Sequence, residues 1–247
     1  MTEAVFLGTG NFLAPEGRYW NSFVLDGTVL VEPCPTALPH LRLAGLQAHD
    51  LDVIVISHFH PDHTFGWPFL LLELIESTMR AGANRPQYVV GPPGVRQFLL
   101  DMCELGSIPN VVEAAAQLLD LRYVEVDGSP QEAGPLRFRG VEVDHVPYLR
   151  CFGYLFERDG RRVGYSGDTQ PCAGLDELAA EADVLVLECN GPHAEGVPIT
   201  HMDEGSVRAL RARHADTPFV LTHMGPGLDL HGMKDIRVPA DFERLTL

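Results

Sequence analysis

The stretch Ser57-His58-Phe59-His60-Pro61-Asp62-His63-Thr64 follows directly on Val53-Ile54-Val55-Ile56, and this junction limits what the chain can fold into more than any other. Four consecutive apolar β-formers read as a buried strand. Three imidazoles and one carboxylate within six positions are poor material for a core, but they are good borderline ligands for zinc, manganese or iron. Because His58 and His60 stand two apart, an extended backbone points both toward one ion. Asp62 and His63 lie beyond the turn that Pro61 helps to set and can face a second, so the spacing predicts two divalent ions. An ordinary polar loop after a strand is the bland alternative, and His-x-His-x-Asp-His is too specific a run for it.

The rest of the chain is consistent with a layered α/β protein. With 247 residues and 45% hydrophobic content it can bury a large core, and residues 1–247 read as one domain. Val5 to Leu7 ahead of Gly8-Thr9-Gly10, the pair Ser22–Leu25 and Thr28–Val31 about Asp26-Gly27, and Tyr88 to Val90 ahead of Gly91-Pro92-Pro93-Gly94 read as strands. So do Leu136–Val146, the pair Tyr154–Phe156 and Arg162–Tyr165 about Asp159-Gly160, Val184–Leu187, and Phe219–Leu221. Helical spacing is expected at 38–46, 69–80 closed by Gly82, 95–105, 111–119, 173–182 and 203–214. Gly8-Thr9-Gly10 lacks the lysine and following helix of a phosphate loop, so it reads as a turn.

Composition narrows the partners. A formal net charge of −16 repels polyanions, and the densest basic runs, Arg158 to Arg162 and Arg208 to Arg213, have acidic or apolar neighbours. A long nucleic acid is therefore not expected, whereas a small anion drawn to bound cations is. Five scattered cysteines without a Cys-x-x-Cys pair fit a reduced compartment. No basic leader and no long apolar run are present, so the expectation is a soluble, cytoplasmic protein without membrane contact. Self-association as a homodimer is left open.

His58-x-His60-x-Asp62-His63 resembles the signature of the metallo-β-lactamase superfamily of binuclear metallohydrolases, and Phe6-Leu7-Gly8-Thr9-Gly10 with the segment from Arg18 to Leu25 resembles the opening of its ribonuclease Z branch. The resemblance implies a four-layer αβ/βα sandwich of two mixed sheets with the site at one edge. It also implies three distant ligands, and His145, Asp168 and His223 stand in the required order, each at the end of an expected strand. By that pattern His58, His60 and His145 hold one ion, Asp62, His63 and His223 hold the other, and Asp168 bridges them. The ions are zinc first, with manganese or iron as alternatives, and hydroxide generated on them attacks the substrate. No Gly-x-Ser-x-Gly elbow competes, and Ser166 shapes the turn before Asp168.

Phosphodiesterase members of the superfamily carry a further histidine between the bridging aspartate and the last ligand. His201 occupies that interval, with Glu188 placed to orient it, and together with Asp62 these form the expected catalytic set. His193 is the rival proton donor. His40, His49, His214 and His231 have no comparable context. The leading expectation is hydrolysis of a small or cyclic phosphodiester. A lactonase or other carboxylic-ester hydrolase would use the same ions with a tyrosine, Tyr148 or Tyr154, in the pocket. A ribonuclease Z-like endonuclease is disfavoured because no long insertion separates His145 from Asp168 and because Met224-Gly225-Pro226 follows His223. A metal- or partner-binding protein without catalysis is the reading from a different class.

Overall fold

The computed structural model describes residues 2–81, 84–191, 196, 198–228, 230–233 and 236–247. In chain order, β1 (Glu3–Gly8), β2 (Ser22–Leu25), β3 (Val29–Val31), β4 (Val53–Val55), β5 (Pro86–Gly91) and β6 (Asp120–Glu125) build one sheet. The strands β7 (Pro130–Ala133), β8 (Leu136–Val143), β9 (Cys151–Arg158), β10 (Arg161–Tyr165), β11 (Val184–Glu188), β12 (Phe219–Thr222) and β13 (Ile236–Arg237) build the second, while β14 (Arg244–Thr246) pairs antiparallel with β1. Both sheets are mixed: β3 to β6 run parallel, as do β10 to β13, and the remaining neighbours are antiparallel.

Side-chain alternation explains the layering. In β4, Val53 and Val55 point into the core between the sheets, whereas Ile54 and the following Ile56 point outward under helices. In β11, Val184 and Val186 likewise face inward, and Leu185 and Leu187 outward. Strands covered on both faces need apolar residues at every position, which is why these two runs are uninterrupted. The outer face of the first sheet is covered by α1 (Ala37–Leu43), α3 (Trp67–Ala81), α4 (Val95–Leu105) and α5 (Pro109–Leu118), and that of the second by α6 (Ala173–Glu181) and α7 (Glu204–Arg213); α2 (Pro61–Thr64) is a single turn after β4. This is the expected four-layer αβ/βα arrangement.

Several boundaries differ from the sequence reading. The strand expected over Leu136–Val146 stops at Val143, so His145 stands beyond it on a loop. Conversely β9 begins at Cys151, three residues before the expected Tyr154, because Cys151 already pairs with Val143 of β8; beside it Phe152 N donates to Ser57 O at 3.0 Å. Asp62 and His63 lie in α2, with Pro61 at its first turn where a missing N–H costs nothing. The strands β6, β7, β13 and β14 were not foreseen: β6 is half-exposed and charged, and β13 has two residues, so neither carries a periodic signal. Gly82, expected to close α3, lies outside the described residues.

Candidate active site

The C-terminal ends of β4, β8, β10, β11 and β12 meet along one edge of the sandwich, and each delivers a polar side chain that its own strand could not bury alone. From β4 come His58, His60, Asp62 and His63; His145 follows β8, Asp168 follows β10, Glu188 ends β11 and His223 follows β12. Ahead of Asp168 the backbone must turn sharply: Gly167 has φ +59, and a Cβ there would meet Phe152 O at 2.7 Å, a position only glycine fills without strain. Ser166 donates to Gly167 O at 2.7 Å and accepts from Glu188 N at 3.0 Å, a turn-shaping role.

Two sets of ligand atoms converge. His58, His60, His145 and Asp168 form one, and Asp62, His63, Asp168 and His223 the other, each with its atoms within 4.8 Å of one another and Asp168 common to both. His60 Nδ1 lies 3.0 Å from His58 Nε2 and 3.3 Å from His145 Nε2. His63 Nε2 lies 3.2 Å from Asp62 Oδ2 and 3.3 Å from Asp168 Oδ2, and His223 Nε2 is 3.4 Å from each of those oxygens. Bonds of about 2.0–2.1 Å to a tetrahedral ion put ligand atoms roughly 3.4 Å apart, so the separations suit a divalent cation at each set. Both ring nitrogens of His63 and Asp168 Oδ1 are buried without a hydrogen-bond partner among the described residues, which is costly unless something else satisfies them.

The far sides of the rings are held. His58 Nδ1 meets Ser57 Oγ at 2.9 Å and His145 Nδ1 donates to Thr200 O at 2.7 Å, contacts that turn the Nε2 lone pairs into the cluster. Behind His63, the Glu32 carboxylate lies 3.5 Å from Nδ1. Glu32 is fully buried in a left-handed conformation (φ 61) and also accepts from Tyr165 Oη at 3.1 Å and from Ser57 N. The sequence reading missed Glu32. Its signal was a lone acid at the end of the apolar run Val29–Val31, the same strand-end placement as the recognised candidates.

Charge is sorted within the cluster. Burial lowers the pKa of His58 well below the ordinary histidine value, with His63 adding to it, and burial also lowers His60 and His145. Burial alone would lower His63 as well, but the carboxylates of Asp168, Asp62 and Glu32 outweigh it and lift His63 well above its usual range. Asp168, which burial would raise, is drawn well below the carboxylate range by His223 and His63, and Asp62 is lowered chiefly by His63.

Beside the cluster, His201 Nδ1 donates to Glu188 Oε1 at 2.8 Å and lies 4.0 Å from Asp168 Oδ2. Burial pulls its pKa down, yet Glu188 prevails and pushes it up to about 9. Asp203 caps α7 by accepting from Ser206 N at 2.7 Å, which anchors the Thr200-His201 segment. Glu188, His201 and His223 form a third convergent group. His193 lies outside the described residues. Of the two tyrosines expected for a lactonase, Tyr154 is buried in the core and donates to Ile56 O at 2.7 Å, so it cannot serve the pocket. Tyr148 is exposed, its ring 6.3 Å from that of His60.

The αβ/βα sandwich that carries these candidate ligands has counterparts. The family described as "Beta-lactamase superfamily domain" matches residues 27–224. The chain belongs to the metallo-β-lactamase superfamily. Within it, the chain is similar to ribonuclease Z of Mycobacterium marinum, 28% identical over 253 residues that cover 95% of this chain and 90% of the relative. Two solved structures share the fold: the short form of human tRNase Z (TM-score 0.74, 22% identity, covering 99% of this chain and 98% of that one) and a diphosphatase of the PhnP family (TM-score 0.74, 18% identity, 99% and 96%). This superfamily member is thus a metallo-β-lactamase-fold hydrolase with a histidine and aspartate cluster suited to divalent metal. Among its described residues no helix is long and apolar enough to cross a membrane.

Proposed function

We propose that this protein is a binuclear metal-dependent phosphodiesterase acting on a small phosphodiester, with His58, His60 and His145 on one ion, Asp62, His63 and His223 on the other, Asp168 between them, and His201 as proton donor. Divalent cations held by these residues, zinc first, would supply positive charge for the phosphoryl group and lower the pKa of water toward neutrality. Glu188 keeps His201 protonated and fixes its ring, so that the imidazolium stands beside the cluster to hand a proton to the departing oxygen. The His201–Glu188 pair 4.0 Å from the Asp168 carboxylate is the observation that supports this reading best. Asp62 acts through the charge it contributes at the second ion.

Ribonuclease Z-like cleavage of RNA is the second reading, and the curated relatives favour it; they weigh against the expectation that a long nucleic acid is an unlikely partner. The bulk charge of −16 and the lack of any Lys or Arg among the described residues lining the cleft favour the small substrate. Assays on zinc- and manganese-loaded protein should separate these readings. Small phosphodiesters should turn over faster than phosphomonoesters, lactones and a transfer-RNA precursor. Efficient, salt-sensitive cleavage of the precursor would establish the RNA reading instead, and preference for lactones would remove both.

Because the metal-free cluster keeps His63 protonated, loading should release protons. His63 has a folded pKa above its unfolded one, so its imidazolium persists at neutral pH and must lose its proton before the ring can hold an ion. Zinc added to weakly buffered metal-free protein near neutral pH should acidify the solution, and affinity should weaken as pH falls. An indicator dye reads the acidification, and affinity independent of pH would contradict the assignment of His63.

A further inference from the structure

The cleft beside the cluster is larger than a phosphoryl group needs, and its surplus wall has a definite character. Its volume is about 760 Å³, in the range of sites that take an organic ligand of substantial size. Away from the candidate ligands and His201, the wall is formed mainly by aromatic, proline and valine side chains, including Phe12, Trp20 and Phe65. Phe12 and Phe65 are each 50% exposed, so their ring surface is open to a ligand in the cleft.

Phe12 is the best placed of these. Its ring lies 6.4 Å from the His201 imidazole and within 19° of parallel to it. Its loop is held in place by Trp20 Nε1, which donates to Phe12 O at 3.0 Å, and by the bonds of Asn11 N to Met224 O and Met224 N to Thr9 O, which tie it to the segment bearing His223. A flat group laid on Phe12 therefore reaches the proton donor without any loop movement. No Lys or Arg lines this wall among the described residues, so a second anionic group stacked on Phe12 would find no lysine or arginine to pair with, and His201 is already engaged by Glu188.

We infer that the cleft selects phosphodiesters in which the ester arm on the His201 side is an uncharged planar aromatic group, stacked on Phe12. This rests on the phosphodiesterase reading and deepens it: Phe12 becomes a specificity-determining residue, with the phosphoryl group at the cluster and the ring on the wall. An aromatic face accepts any flat ring, so recognition of this kind is broad in heterocycle and strict in planarity and charge.

The test is titration calorimetry on zinc-loaded protein with three phosphonate monoesters that differ in one arm: O-methyl phenylphosphonate, O-methyl ethylphosphonate and O-methyl 4-carboxyphenylphosphonate. The phenyl compound should bind about 10-fold more tightly than the ethyl compound, and the carboxyphenyl compound should lose most of that gain. Phe12→Ala should bring the phenyl-to-ethyl ratio close to one at unchanged zinc content, whereas Phe12→Tyr should keep it. Equal binding of phenyl and ethyl compounds, or a preference that survives Phe12→Ala, overturns the inference while leaving the phosphodiesterase reading intact. Tight binding of the carboxyphenyl compound overturns the requirement for an uncharged arm. Failure of all three to bind to zinc-filled protein removes the phosphodiesterase reading and the inference with it.

Discussion

Asp168→Ala yields a folded chain that retains little of either divalent ion and loses roughly 10³-fold or more of its phosphodiester turnover, the scale of several kcal/mol of charge stabilisation supplied by metal. Asp168 Oδ2 lies 3.3 to 3.8 Å from ring nitrogens on both sides of the cluster, and among the described residues it is the side chain common to both sets. Without it His58, His63 and His223 face one another with less negative charge between them. The backbone turn at Gly167 and the Ser166 hydrogen bonds do not involve the Asp168 side chain, so the fold should persist. His223→Ala should be milder in stoichiometry, emptying chiefly the Asp62 and His63 set, since His223 Nε2 approaches Asp62 and Asp168. Elemental analysis of both variants beside a circular dichroism spectrum gives the answer. Full metal content in Asp168→Ala would remove it as the shared ligand.

His201→Ala should keep both metals and lower kcat by about 10²–10⁴-fold for an alkyl phosphodiester, and clearly less for a nitrophenyl ester. An alkoxide needs its proton as the P–O bond breaks, whereas nitrophenolate leaves without one. Glu188→Gln should act through His201: with the carboxylate gone, the pKa held up to about 9 in the metal-free protein falls toward the ordinary histidine range. The acid form is then lost at lower pH, so the alkaline fall in alkyl-ester turnover moves to lower pH, while bound cations shift the absolute position downward in both proteins. Loss of an ion from His201→Ala would make it a ligand, in line with its convergence with Glu188 and His223. Unchanged rates on both esters would make it a loop residue.

Much of the layering was readable because β4 and the run Val184–Leu187 of β11 are uninterruptedly apolar, and only a strand covered on both faces needs that pattern. The cluster after β4 could be read from local spacing alone. His145, Asp168 and His223 had no local signal; they gained meaning from their order after His58 and their shared position at strand ends. Glu32 went unread because a single acid after three apolar residues looks like any surface strand end, and its burial depends on the Tyr165, Ser57 and His63 partners that the fold brings to it. Tyr154, one of two tyrosines offered for the lactonase alternative, is excluded for the converse reason: alternation along β9 turns it into the core, where Ile56 O accepts its hydrogen bond. The cleft wall at Phe12 could not be anticipated, since an aromatic residue in a glycine and proline loop is exposed in most settings and faces a site here only because the segment after His223 meets it.

Zinc titrated into metal-free protein, with hydrolysis of bis(p-nitrophenyl) phosphate followed at each addition, tests the account most directly. Turnover should be absent from the metal-free chain, rise with bound metal and reach its plateau when two ions are held per chain. Full turnover at one ion per chain, or saturation with two ions and no phosphodiester hydrolysis, would contradict the account.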